Sequence, residues 1–294
     1  MPEFISKLQH KNYEKGEFSD EKARSLDETI ELIKKFPFDN ERTLTDIQLT
    51  GPSVTIQDEY VNYLKIGLYF NGKFCLYYWD CDNHLYECHV ADLPGVLAIT
   101  TDFFNGQIIL KDFEKHLFNI GNQAHFVTSY FEYREKLWRI ILLTGLMLLY
   151  GGFFVVADAT VFAINTPWYL RLLLAAVSAL YYFLLGKIYY NAIVNRDNYL
   201  QISKGNDVFS FGYNQQEINT HNKNNISEIV TYVSSGSKNP NFVEAYEISF
   251  KDGSSIKFTN MLIPSSAFHT KFTDSMDNLI IPFTTGKKSP LKVL

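Results

Sequence analysis

Residues 143–158, LTGLMLLYGGFFVVAD, carry no charge before the final Asp158, in a chain that is 20% charged overall. A helix that is apolar all round has no face to offer water, so such a run must be buried in protein or in lipid. Residues 137–156 are interrupted only at Arg139, with Trp138 beside it, and residues 168–186, WYLRLLLAAVSALYYFLLG, only at Arg171, ending at Lys187. Each run is about long enough to cross a hydrocarbon core roughly 30 Å thick. Two in tandem, edged by Trp and basic residues, predict a transmembrane helical hairpin with spans at about 137–157 and 168–187, rather than a pair of core helices.

The charges fit that layout. Arg139 and Asp158 are 19 residues apart, on the order of 28 Å along a helix, which puts them at opposite faces of a bilayer. Arg171 and Lys187 are 16 apart, on the order of 24 Å, so both side chains reach outward. Asp158 and Arg171 then share one face beside the connection INTPW and are expected to lie close together. Trp138, Arg139, Asp158, Trp168, Arg171 and Lys187 are therefore the expected membrane-interface residues, and the lipid bilayer the first expected partner. Arg134, Lys136 and Arg139 precede the first run, and Lys187 and Arg196 follow the second, which places both termini on the cytoplasmic side. Gly145 and Gly152 share a helix face, as do Ala175 and Ala179; close backbone approach there would hold the hairpin together or serve a homodimer.

At 294 residues the chain has room for two further domains. The expected division is a cytoplasmic α+β domain at 1–133, the hairpin at 134–194, a mainly-β domain at 195–283 and a disordered basic tail at 284–294. A net charge of −5, from 27 basic and 32 acidic residues, lacks the concentrated positive charge of a nucleic-acid footprint. The N-terminus, MPEFISKLQHKNYEKGEFSDEK, has no apolar core of the signal-peptide kind.

In the N-terminal domain, SLDETIELIKKF opens with the capping-box pair Ser25 and Glu28, ahead of Leu26, Ile30 and Ile33 at helical spacing. Strands are expected at TDIQLT and SVTIQD. In NYLKIGLYFNGKFCLYYWD, Asn71-Gly72 predicts a two-residue hairpin turn flanked by Phe70 and Lys73. That pairs Leu68 with Cys75, Ile66 with Tyr77 and Leu64 with Trp79. DLPGVLAITTDFFNG reads as a helix stopped at Asn105-Gly106, and QIILKDFEKHLFNIG as a short strand or helix. Tyr130, Phe131 and Tyr133 are placed to rest at the membrane interface.

Cys75, Cys81, His84, Cys88 and His89 invite a zinc reading, because thiolates and imidazoles at short spacings can supply four ligands. The expected register opposes it: Cys75 faces the apolar side beside Leu68, while Cys88 and His89 point to opposite faces. No metal and no cofactor are therefore expected. Three cysteines are an odd number in one short region, which favours reduced thiols over a disulfide framework.

Past Arg196, short strands are expected at NYLQIS, DVFSFGY, NISEIVTYV, AYEISFK and SIKFTN. A three-residue loop, Asp252-Gly253-Ser254, pairs Phe250 with Ile256 and Ile248 with Phe258. A helix after IPSS carries Phe268, Phe272, Met276 and Leu279 on one stripe. A transmembrane hairpin followed by an all-β segment with one closing helix resembles bacterial membrane proteins that carry a PH-like domain behind two spans. The resemblance rests on the order NYLQIS…VFSFGY…ISEIV…YEISFKDGSSIKF, covers about 137–280, and implies a bacterial inner-membrane location. It requires one or two more strands, within NQQEINTHNK or NMLIP. Phosphoinositide-binding members have a basic cluster on the first strand pair; ISKGNDVF offers Lys204 alone and adds Asp207, so headgroup binding does not carry over.

No Gly-x-Ser-x-Gly elbow, phosphate loop or His-Glu-x-x-His helix appears, and His116, His125, His221 and His269 have no evident catalytic partners in the sequence. Asp80 and Asp82 fall at a turn, where Asp is common. The expectation is a non-enzymatic membrane protein that binds a protein partner through its cytoplasmic domains. YLKIGLYFNGKFCLYYWD…FFNG is similar to small α+β immunity domains, which neutralise a toxin by masking it. The alternatives are a lipid-sensing or envelope-maintenance protein, and a membrane enzyme with an unrecognised site.

Overall fold

The computed structural model describes residues 2–42, 49–69, 71–134, 137–163, 167–194, 196–214, 216–232, 244–273 and 282–286. The chain divides into two compact units, Met1–Tyr130 with Ser203–Asn206, and Phe131–Ile202 with Asp207–Leu294.

The N-terminal unit is an antiparallel sheet with helices on one face. Its elements are β1 (Phe4–Gln9), β2 (Ser19–Arg24), α1 (Leu26–Lys35), α2 (Phe38–Glu41), β3 (Ser53–Gln57), β4 (Tyr63–Leu68), β5 (Phe74–Trp79), β6 (Leu85–Val90), α3 (Leu93–Phe104) and β7 (Glu114–Lys115). The sheet order is β2-β1-β3-β4-β5-β6-β7. α1 starts at the expected capping box: the Glu28 N–H donates to Ser25 Oγ, and the Ser25 N–H to Glu28 Oε2 at 2.9 Å. α3 starts at Asp92, whose carboxylate accepts from the Gly95 N–H, and ends before Gly106, which takes φ +67°. Val54, Ile56, Leu64, Ile66 and Leu76 form the core against Ile33, Val96, Phe103 and Phe104 of these helices. The expected strand TDIQLT falls mostly outside the described residues, and QIILKDFEKHLFNIG supplies a short 3-10 turn followed by β7.

The Asn71-Gly72 hairpin differs from expectation by one residue. Tyr69 and Lys73 close it, with the Tyr69 N–H donating to the Lys73 carbonyl at 2.7 Å. Gly72 is the last of three loop positions, at φ +81°. Gly67 therefore opposes Cys75, Lys65 opposes Tyr77 and Tyr63 opposes Trp79. A one-residue slip reverses faces, so Cys75 lies with Tyr63, Tyr77, Trp79 and Phe126 rather than with Leu68.

The C-terminal unit contains β8 (Glu132–Arg134), α4 (Leu137–Ala163), α5 (Trp168–Val194), β9 (Tyr199–Gln201), β10 (Val208–Gly212), β11 (Ile218–Asn222), β12 (Ile226–Tyr232), β13 (Ala245–Phe250), β14 (Ser255–Thr259), α6 (Ser265–Thr273) and β15 (Phe283–Gly286). Two sheets, β11-β10-β9-β8 and β14-β13-β12-β15, share one core. In it Phe209 and Phe211 meet Tyr246, Ile248 and Phe258, and Phe268 and Phe272 of α6 close one end. β11 supplies the strand expected within NQQEINTHNK.

Four expectations are corrected here. The β-domain begins before the helical pair, because β8 pairs with β9 across it, Tyr133 opposite Leu200. Phe131 and Tyr133 accordingly receive the buried Lys271 ammonium, 4.8 and 5.5 Å from their ring centroids, instead of both facing outward. The Asp252 hairpin has three loop residues, but they are Lys251-Asp252-Gly253: Ile248 pairs with Ile256 and Tyr246 with Phe258, a two-residue shift that keeps the faces. The expected tail begins in a strand, β15, parallel to β12. Met276 and Leu279 lie outside the described residues.

Candidate functional site

The sheet face turned away from α1 and α3 is largely buried and carries rows of polar side chains beside the aromatic cluster of Tyr63, Trp79 and Phe126. Strand pairing lines up Lys7, Thr55, Lys65, Tyr77, Glu87 and Glu114 in one row across six strands. A neighbouring row runs Gln9, Ser53, Gly67, Cys75 and His89. Each strand contributes by simple alternation: in YLKIGL the Leu64 and Ile66 side chains enter the helix-side core, so Lys65 faces the other way.

At one end of this band sit two lysines. Lys65 is fully buried and donates to Gln9 Oε1 at 2.6 Å and to the His125 carbonyl at 3.1 Å, both neutral. Burial, reinforced by the neighbouring Lys7 ammonium, pulls its amine down from 10.5 to about 7. Lys7, also buried, donates to Thr128 Oγ1 at 2.9 Å, lies 3.6 Å from Glu21 and 4.3 Å from the Phe18 ring centroid, and is shifted downward by burial, against the opposing pull of Glu21. Burial and the Lys15 and Lys65 charges bring the His125 imidazole to about 4. Ser53 Oγ, Thr55 Oγ1 and His125 Nδ1 are buried without a hydrogen-bond partner. A buried amine shifted toward neutrality beside hydroxyls without partners is a combination that perturbed functional sites share with structural polar networks.

At the other end, Glu87 gathers three groups. Its Oε1 lies 3.5 Å from Cys75 Sγ and 3.0 Å from His89 Nε2, and its Oε2 lies 2.8 Å from His116 Nε2. Tyr77 hydrogen-bonds to both Cys75 and Glu87. Burial is the main cause that pushes the Cys75 thiol up to about 12, so it is held as S–H. Cys88 is on the opposite face, across from Leu76. His116 is therefore far from partnerless. All three thiols are free. What hid this site from the sequence was the register at Asn71-Gly72; the available signal was Lys65 and Gly67 alternating with apolar residues, with Glu87 and His89 two apart on the next strand.

The helical pair is a second feature. Thr144–Ala163 is, among the described residues, the one helix segment long and apolar enough to cross a membrane; the apolar part of α5, Trp168–Phe183, is shorter. That stretch begins seven residues after Leu137 and contains Asp158, whose Oδ1 is buried without a hydrogen-bond partner. Trp138 and Trp168 are exposed, and the Arg171 guanidinium lies 5.6 Å from the Phe162 ring centroid. Arg139 and Lys187 are on the described helix backbones. The expected packing residues are not where the helices meet: a Cβ on Gly145 or Gly152 would touch nothing within 4 Å, and Ala175 and Ala179 are exposed. The contact is at Gly151, whose carbonyl accepts from the Tyr182 hydroxyl at 2.8 Å, and at Phe154 against Tyr181.

In the C-terminal unit, two four-stranded sheets with a helix closing the shared core form the frame of a PH-like fold. Residues 130–271 match the PH domain family. The matched range takes in β8 and the helical insertion, consistent with the pairing of β8 to β9 in the PH-like sheet. No curated protein and no solved structure matches the chain. Several lysines of the PH-like unit are committed to internal contacts: Lys223 Nζ donates to the Lys271 carbonyl at 3.3 Å, Lys251 Nζ to the Asn224 carbonyl at 2.7 Å, and Lys257 pairs with Glu247 at 3.4 Å.

Proposed function

We propose that the chain is an integral membrane protein of the bacterial inner membrane, held by the α4–α5 pair with both termini cytoplasmic, and that its N-terminal unit binds a protein partner. The observation that carries the membrane reading is apolar exposure along both helices. Leu148 (73%), Leu149 (68%), Phe153 (66%), Leu172 (62%) and Leu173 (61%) all face outward. Each such side chain gains about 1.5–3 kcal/mol on leaving water, which favours an apolar environment around the pair. Carbonate extraction is expected to leave the full-length chain in the membrane pellet; release into the supernatant overturns the anchor.

Support for the partner comes from Leu117, Phe118 and Ile120 of the N-terminal unit, which are 91%, 84% and 98% exposed. Three large apolar side chains exposed within four consecutive residues favour a docking surface. The narrower reading is immunity, in which this patch masks an incoming toxin encoded beside the chain's own gene. Cells making the full-length chain are then expected to survive that toxin, and the triple variant Leu117→Ser, Phe118→Ser, Ile120→Ser to lose protection while accumulating normally. Equal survival with the variant sinks the patch. The committed lysines of the PH-like unit make a lipid headgroup the weaker alternative.

A further inference from the structure

We propose that Cys75, Glu87 and His89 bind one borderline divalent cation of the Zn²⁺ class, with His116 as a positioning residue. The inference is independent of the membrane and partner readings. The three ligand atoms all lie within 4.8 Å of one another. Tetrahedral zinc bonds of roughly 2.0–2.3 Å require separations of about 3.3–3.7 Å, so closure needs only small side-chain rotations. His89, with a side chain 45% exposed, has the freedom to make them, while Cys75 is held in the sheet directly opposite it.

The donor set of one thiolate, one imidazole and one carboxylate is a zinc set and a poor one for Mg²⁺ or Ca²⁺, which take oxygen. His116 lies on the far side of Glu87, donating to Oε2 and leaving Oε1 for the metal, the usual arrangement by which an outer partner fixes a ligand. Three protein ligands leave a fourth position for water. On binding, the Cys75 S–H bond gives its proton to solvent and the sulfur forms the metal bond; His89 binds as the neutral ring, and no electron changes hands. The other cluster, Asp80, Asp82 and His84, has no thiol, and Asp80 is already engaged with the His84 N–H at 2.7 Å.

The test is Co²⁺ titration of the detergent-solubilised full-length chain carrying Cys81→Ser and Cys88→Ser, so that Cys75 is the one remaining thiol. The expected result is one Co²⁺ per chain, with visible bands of tetrahedral intensity and a near-ultraviolet sulfur-to-cobalt band, all bleached by Zn²⁺. Cys75→Ser removes the near-ultraviolet band. His89→Ala, at an exposed position that leaves the core intact, removes a ligand and weakens binding at least tenfold. His116→Ala keeps the sulfur band but lowers affinity about 10–100-fold. A single-thiol chain with no sulfur-to-cobalt band overturns the site, as does a band undiminished in His89→Ala.

Discussion

Lys65→Met is expected to flatten the pH dependence of the N-terminal unit's stability above neutrality, with a gain at pH 6 of at most about 3 kcal/mol. The folded-state amine sits near 7 against 10.5 when unfolded, because it is fully buried and shares its surroundings with Lys7. Between those values the unfolded chain binds one more proton than the folded one, so stability rises with pH across that window and the full penalty applies below pH 7. A shift of that size corresponds to roughly 5 kcal/mol; orphaning Gln9 Oε1 and the His125 carbonyl, at about 1–3 kcal/mol each, returns roughly 2–6 kcal/mol of it, so the gain at pH 6 is at most about 3 kcal/mol. Lys7 also gains, since it keeps Glu21 and loses a like charge. His125 adds a lower step of the same sign: its folded value of about 4 lies below its free value of 6.5, so acidification through that range destabilises the unit further. Thermal unfolding followed by Trp79 fluorescence in a Trp138→Phe, Trp168→Phe background, at pH 6, 8 and 10, reads both effects. A wild-type midpoint that falls as pH rises from 7 to 10 overturns the assignment.

Phe268→Ala is expected to cost the PH-like unit about 3–5 kcal/mol, the usual range for removing a buried ring. The side chain is wholly buried, and its ring lies 4.2 Å from Tyr246, 5.5 Å from Phe258 and 5.1 Å from Phe272, centroid to centroid. It is the main plug that α6 inserts between the two sheets, and the aromatic neighbours are too rigid to collapse into the space. Amide hydrogen exchange in β13 and β14 should accelerate by roughly two to four decades, while exchange in β3 and β4 stays unchanged. Unaltered protection in β13 would show that α6 is not what closes that core.

Elements specified by adjacent residues were legible in the sequence. The capping box of α1, the Asn105-Gly106 stop of α3, the strand SVTIQD and the two long apolar helices all depend on contacts within a few positions, and each occurs where its residues announce it. Even the strand required inside NQQEINTHNK is present as β11. The start of the PH-like sheet was not legible, because β8 finds its partner only across the whole α4–α5 insertion.

Hairpin register divides the two kinds of knowledge most sharply. Both Asn71-Gly72 and Asp252-Gly253 mark turns, and in both the glycine ends a three-residue loop at positive φ, +81° and +86°, with the next N–H donating to the Asx side chain. The sequence determines that a turn occurs there. Which residues close it depends on how the flanking strands seat in the rest of the sheet. Being off by two at Asp252 changed no side chain's face; being off by one at Asn71 moved Cys75 from the apolar face to that of Glu87 and His89. The helices, the apolar runs and the turns were thus written locally, whereas the polar band from Lys7 to Glu114 exists only once six strands are in register, since each hairpin brings together only neighbours such as Lys65 and Tyr77.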